Sequence, residues 1–121
     1  MKKYNIQEVT KIVGMPSSTL RFYESKGLLP DIERTESGYR LYTDEDIELL
    51  ELIDCLRKTN MSLKEISRYL ELQTDGDETL DERYKMLLAR KKAVQQEIKQ
   101  LHNASKAIDE KMDELSKEIR K

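Results

Sequence analysis

The sequence predicts a mainly α-helical fold, a small helical head with one short hairpin followed by a single long helix. Three observations predict it. Four segments open with a capping side chain and a carboxylate three residues on: Asn5 with Glu8, Thr43 with Asp46, Ser62 with Glu65, and Thr79 with Glu82. Apolar residues then recur at helical spacing each time. From Thr79 onward an apolar residue returns every seven positions, with no glycine or proline to interrupt it.

In chain order, Asn5 caps a first helix marked by Ile6, Val9, Ile12 and Val13, and Gly14 ends it. Pro16 opens a second, which runs through Leu20 and Tyr23 to Gly27. A helix, a tight glycine turn and a helix of about ten residues form a helix-turn-helix arrangement, here covering about residues 5–26. Between about residues 30 and 42 the pattern changes to a loop and hairpin, with Pro30, Gly38 and alternating Tyr39 and Leu41. Ile47, Leu50, Ile53 and Leu56 mark a third helix, and Leu63, Ile66 and Leu70 a fourth. Asp75-Gly76-Asp77 then breaks the pattern. The expected division is a head at residues 1–75 and a long helix at 79–121.

The long helix carries a heptad repeat. Leu80, Leu87, Val94, Leu101, Ile108 and Leu115 take the d positions. Tyr84, Lys91, Ile98, Ser105, Met112 and Ile119 take the a positions. One such helix cannot bury its own stripe, so a homodimer seam is expected along these residues. Lys91 and Ser105 lower the stability of the seam and set its register or orientation.

Composition narrows the function classes. The charged fraction is 38% and the aromatic fraction 6%, too polar for a large compact core. Net charge is −2, so bulk charge does not advertise a nucleic-acid binder, but the distribution is uneven. Residues 1–43 carry seven Lys/Arg against five Asp/Glu, and residues 44–75 carry four against nine. No apolar run has membrane length and no signal peptide is recognisable, so no membrane partner and a cytoplasmic location are expected. Cys55 and His102 stand alone and far apart, so no metal or cofactor is expected. No nucleophile–base set, phosphate-cradling glycine loop or pocketed carboxylate pair supports an enzyme.

Two segments carry the chemistry: Thr19-Leu20-Arg21-Phe22-Tyr23-Glu24-Ser25-Lys26-Gly27-Leu28-Leu29-Pro30 and Gly38-Tyr39-Arg40-Leu41-Tyr42. Arginine and tyrosine donors on two adjacent elements suit a phosphate backbone. Ser17, Ser18 and Thr19 sit at the amino end of the second helix, where free N–H groups favour phosphate. Arg21 and Phe22 follow, with Arg21 placed to reach a guanine edge or a phosphate. In the hairpin, Tyr39, Arg40 and Tyr42 are candidate contacts, against the alternative that they only stabilise the hairpin. Arg57 and Lys58, ending the third helix, are a candidate phosphate clamp; the alternative is favourable placement on the helix dipole.

The two spaced motifs, in this order, resemble the MerR family of bacterial transcription regulators. The resemblance implies a winged helix-turn-helix DNA-binding domain, with the hairpin as wing, joined to a dimerisation helix that pairs as an antiparallel coiled coil. It implies a homodimer on a pseudo-palindromic operator in double-stranded promoter DNA. There it distorts the DNA so that RNA polymerase engages both promoter elements. Phe22 stands where such sequences most commonly have tyrosine, and Pro16 where they often have a serine cap, which leaves capping to its neighbours. Cys55 has two readings: a small buried core residue, or an electrophile-sensing thiol activated by Arg57 and Lys58. A branch of MerR-like regulators that answers to aldehydes and related electrophiles has a lone cysteine at this point. Two other functions fit the same residues. One is an effector-independent repressor or architectural DNA binder; the other is a coiled-coil protein-interaction module.

Overall fold

The computed structural model describes residues 2–121. Five helices and one hairpin follow in order: α1 Ile6–Val13, α2 Ser17–Ser25, β1 Glu33–Arg34, β2 Arg40–Leu41, α3 Asp44–Lys58, α4 Leu63–Asp75 and α5 Leu80–Ile119, with a single 3-10 turn, Asp77–Thr79, before α5.

Three of the four expected capping boxes form. Asn5 Oδ1 accepts from the Glu8 N–H at 2.8 Å, while a Glu8 carboxylate oxygen accepts from the Asn5 N–H at 3.0 Å. Thr43 with Asp46 and Ser62 with Glu65 repeat the arrangement. The fourth does not form. The Thr79 hydroxyl bonds instead to the carbonyls of Leu72 and Gly76, at 2.6 and 2.8 Å. Glu82 turns away to pair with Arg68 at 3.2 Å. The 3-10 turn is the cause. It puts Thr79 at φ −99, ψ 3, outside the extended conformation that a cap needs. The start of α2 also differs from expectation. Pro16 occupies the cap position, and no side chain caps the helix.

Gly14 ends α1 in the left-handed region, at φ 71, and so turns the chain into α2. The strands pair antiparallel, Glu33 with Leu41 and Arg34 with Arg40. A backbone bridge between Tyr4 and Tyr42 ties the foot of the hairpin to the segment before α1.

The core of the head gathers one face from each helix: Val9 from α1, Leu20 and Tyr23 from α2, Ile47, Leu50, Ile53 and Leu56 from α3, Ile66 and Tyr69 from α4. α5 reaches this core through Met86, and Arg83 anchors its first turn by donating to the Thr79 hydroxyl at 3.0 Å. Arg90 lines the same side beside Met61 and Glu65, and past it the helix runs on alone; at about 1.5 Å per residue its full length is about 60 Å. No residue of α5 is buried.

Candidate nucleic-acid interface

α2 divides into two faces. Leu20 and Tyr23 are buried, while Ser18, Arg21, Phe22 and Ser25 are exposed and Ser17 and Thr19 half-buried. The helix has no side-chain cap; the Thr19 N–H donates to the Pro16 carbonyl at 3.0 Å, and those of Ser17 and Ser18 would face an anion aligned with the helix dipole. Arg21 is exposed on the open face. Phe22, 40% exposed, packs against Tyr23 with ring centroids 6.0 Å apart, and the Lys26 ammonium lies 5.6 Å from its centroid. An open face with an arginine, small hydroxyls and an apolar ring is what base edges and sugars accept.

The hairpin lies beside this helix. Tyr39, at its turn, is 73% exposed. Arg40 is half-buried, and its Nε donates to a Glu24 carboxylate oxygen at 2.8 Å. The other Glu24 oxygen lies 3.8 Å from Arg34, whose guanidinium also donates to the Gly38 carbonyl at 3.1 Å. The expected hairpin arginine is therefore one member of a three-residue cluster. Glu24 and Arg34 were not singled out from sequence. The available signal was a carboxylate inside an otherwise cationic and aromatic motif, and a second arginine as far before the turn as Arg40 is after it.

Tyr42 corrects the expectation of a phosphate contact. It is fully buried, and its hydroxyl has no hydrogen-bond partner. Its backbone pairs with Tyr4 in both directions, at 2.8 and 2.9 Å, which draws the ring under the head instead of onto the outer surface. Burial raises its phenol above the ordinary range.

Arg57 and Lys58 diverge, as neighbours on a helix must. Arg57 lies over the Tyr23 ring, 5.9 Å from the centroid, on the side facing α2. Lys58 pairs with Asp54 at 2.8 Å, and that hydrogen bond and charge raise its pKa. The two do not form one clamp. Cys55, between these pairs, is exposed, which corrects the reading of it as a buried core residue. Helical geometry explains this: Ile53 and Leu56 point inward, and Cys55 is 100–200° round from them.

The heptad seam lies open along α5. Leu80, Tyr84, Leu87, Ile98, Leu101, Ile108, Met112, Leu115 and Ile119 are all exposed, Leu101 at 71%, and Val94 is half-buried. The helix meets its own head through a different face, that of Arg83, Met86 and Arg90. Among the described residues no group of His, Cys, Asp and Glu is arranged to hold a metal ion, and no helix is long and apolar enough to cross a membrane.

The comparisons agree with this geometry. Residues 4–73 match the family model for MerR HTH family regulatory proteins, and residues 47–111 match the model described as MerR, DNA binding. An uncharacterised HTH-type transcriptional regulator of Haemophilus influenzae is 40% identical over 98 residues, covering 81% of this chain and 73% of the relative. The regulator AdhR of Bacillus subtilis is 41% identical over 83 residues, covering 69% of this chain and 59% of the relative. In three dimensions the chain is similar to HiNmlR, a MerR family regulator lacking the sensor domain and solved bound to promoter DNA. The TM-score is 0.76 at 38% identity, covering 84% of this chain and 77% of that one. A helix-turn-helix with a short wing, an uncapped and open second helix, a long helix with an unpaired apolar seam and these matches place the chain in the MerR family of DNA-binding transcriptional regulators.

Proposed function

We propose that the protein binds a pseudo-palindromic promoter operator as a homodimer, with residues 1–75 as the DNA-binding unit and residues 79–121 as the pairing helix, and controls transcription by distorting the DNA between its two heads. The observation that carries the reading is the separation of faces on α5, where one face packs on the head and the other, apolar at nearly every heptad step, is left to solvent.

Antiparallel pairing suits the seam best. One offset sets every a residue of the helix against a d residue of the other copy: Leu80 against Ile119, Tyr84 against Leu115, Leu87 against Met112, Lys91 against Ile108, Val94 against Ser105 and Ile98 against Leu101. In a parallel pair Lys91 would meet its own counterpart, two like charges in an apolar seam. In the antiparallel pair its stem lies on Ile108 and its ammonium reaches solvent. With that offset the two copies of Met86, where each head is anchored, lie about 40 Å apart along the axis at the helical rise. One turn of duplex is about 34 Å, so two heads this far apart address successive grooves on one face of DNA. A distortion of the intervening DNA closes the difference. Arg21, Phe22 and the open amino end of α2 would enter the groove, while Tyr39 and Arg40 with the neighbouring Arg57 would hold the backbone.

Gel-shift titration of the chain on its own upstream region, with a scrambled duplex as control, tests the DNA reading; equal affinity for both would overturn it. The offset is tested by cysteine pairs. Leu80→Cys mixed with Ile119→Cys, each in a Cys55→Ser background, should give disulfide-linked dimers, and Leu80→Cys alone should not.

Cys55 belongs to the same proposal as the site of response to aldehydes or other small electrophiles, because it is the chain's one thiol and is exposed. Arg57 and Lys58 are turned to Tyr23 and Asp54, so slow, selective alkylation is expected in place of hyper-reactivity. A promoter reporter with and without a small aldehyde decides: Cys55→Ser should bind DNA and lose induction. Full induction of that variant would remove Cys55 from the response.

A further inference from the structure

We propose that Glu24 is a positioning residue for DNA recognition: its carboxylate holds the two hairpin arginines, Arg34 and Arg40, against the recognition helix and so fixes the wing relative to the bases that α2 reads. The proposal rests on the DNA-binding reading of α2 and the wing.

The argument begins with a conflict. Arg34 and Arg40 are directly paired across the two strands. Like charges at opposed positions of an antiparallel pair repel and destabilise the ladder. The hairpin has only two residues in each strand; backbone bonds close its turn, Thr35 with Tyr39 and Gly38, and its foot, Tyr4 with Tyr42, but none of these offsets the charge between the two arginines. Glu24 resolves the conflict from outside the hairpin. One carboxylate oxygen accepts from Arg40 at 2.8 Å, and the other lies 3.8 Å from Arg34. The Glu24 side chain is 20% exposed and that of Arg40 is 23%, so solvent screens this pair less than the open ion pairs elsewhere on the surface. Arg34 is 46% exposed and reaches back to the Gly38 carbonyl at the turn, which extends the fixed unit to the wing tip beside Tyr39.

The position of Glu24 makes the link consequential. It sits on α2, one residue from Tyr23, which anchors the helix in the core, and one turn from Arg21 on the open face. α2 and the hairpin share no backbone hydrogen bond. The carboxylate is thus the polar connection through which the wing takes its place against the recognition helix. A lone negative charge beside DNA costs affinity, because it repels phosphate and cancels one cation. The gain is orientation: each arginine keeps N–H groups that Glu24 does not use, aimed from a fixed guanidinium plane toward a phosphate.

Three roles for Glu24 make different predictions for Glu24→Gln. If it merely repels DNA, affinity rises equally for operator and random duplex. If it merely supports the fold, both fall together with the melting temperature. If it positions the wing, random-duplex affinity is unchanged or higher, because one negative charge is gone, while operator affinity falls. The ratio of operator to random binding should then drop by about tenfold, with a salt slope steeper by about one unit. The second variant tests the cause. Arg34→Gln added to Glu24→Gln removes the repulsion that Glu24 offsets, and should recover several-fold of the lost ratio. The measurement is fluorescence anisotropy on the full chain with operator and scrambled duplexes at four salt concentrations, alongside thermal melts. An unchanged ratio in Glu24→Gln, or a double variant no better than the single one, overturns the proposal; wild-type failure to prefer operator would instead sink the DNA-binding reading on which it rests.

Discussion

Leu101→Asp tests the pairing of the long helices at its most sensitive point. In the isolated chain Leu101 is 71% exposed and lies outside the core cluster of the head, so the substitution removes little intramolecular packing. In the antiparallel pair it lies one step from the dyad, against Ile98 of the other copy, and each dimer contains two copies of it. Burying a leucine side chain contributes roughly 2 kcal/mol, so the two lost leucines weaken the pair by about 4 kcal/mol. At about 1.4 kcal/mol per decade this is roughly a thousandfold in the dissociation constant. Each buried, unpaired carboxylate adds further cost, so that factor is a lower bound. Sedimentation velocity over a hundredfold range of protein concentration reads the constant directly. Asn103→Asp, on the outward f position of the same stretch, adds the same charge and should leave the dimer intact. A Leu101→Asp dimer within tenfold of wild type would refute the heptad assignment, whatever the orientation of the helices.

The remaining predictions concern the head. Arg21→Ala should weaken operator binding by about 1–3 kcal/mol if Arg21 reads a base edge, and should relax preference at one position; gel shifts on single-base operator variants measure this. Tyr42→Phe should leave DNA affinity unchanged and stability within about 1 kcal/mol of wild type or higher, because the buried hydroxyl bonds to nothing. A loss of DNA affinity in that variant would restore Tyr42 as a contact. Glu65 is held below its ordinary value of 4.5, first by the Ser62 hydroxyl and then by the Ser62 N–H. A lowered folded pKa means stabilisation that is present above the unfolded value and lost as pH falls through the folded one. Ser62→Ala should therefore be destabilised at pH 7, and its deficit relative to wild type should narrow below about pH 4.5 in thermal melts. A deficit constant from pH 7 to pH 3 would show that the carboxylate plays no part in the cap.

The features legible before folding are those whose partners lie close along the chain. Asn5, Thr43 and Ser62 start their helices because a cap and its carboxylate are three residues apart and need no distant partner. The seam on α5 is legible because a seven-residue period places its members on one face of any helix that forms. The turn at Gly14, where a left-handed residue must end α1, is local in the same sense. Where the local rule met a competing geometry it failed: at Thr79 the 3-10 turn redirects the hydroxyl to Leu72 and Gly76. The other placements depend on residues distant in sequence. Tyr42 is buried because Tyr4, far away in sequence, pairs with its backbone. Cys55 faces outward because the inward positions of α3 go to Ile53 and Leu56. Arg40 is tied to Glu24 and opposed to Arg34 because the hairpin folds back against α2. Side-chain type and spacing state which groups are able to bind phosphate or bury apolar area. Which of them are free to do so depends on neighbours that only the folded chain brings within a few ångströms.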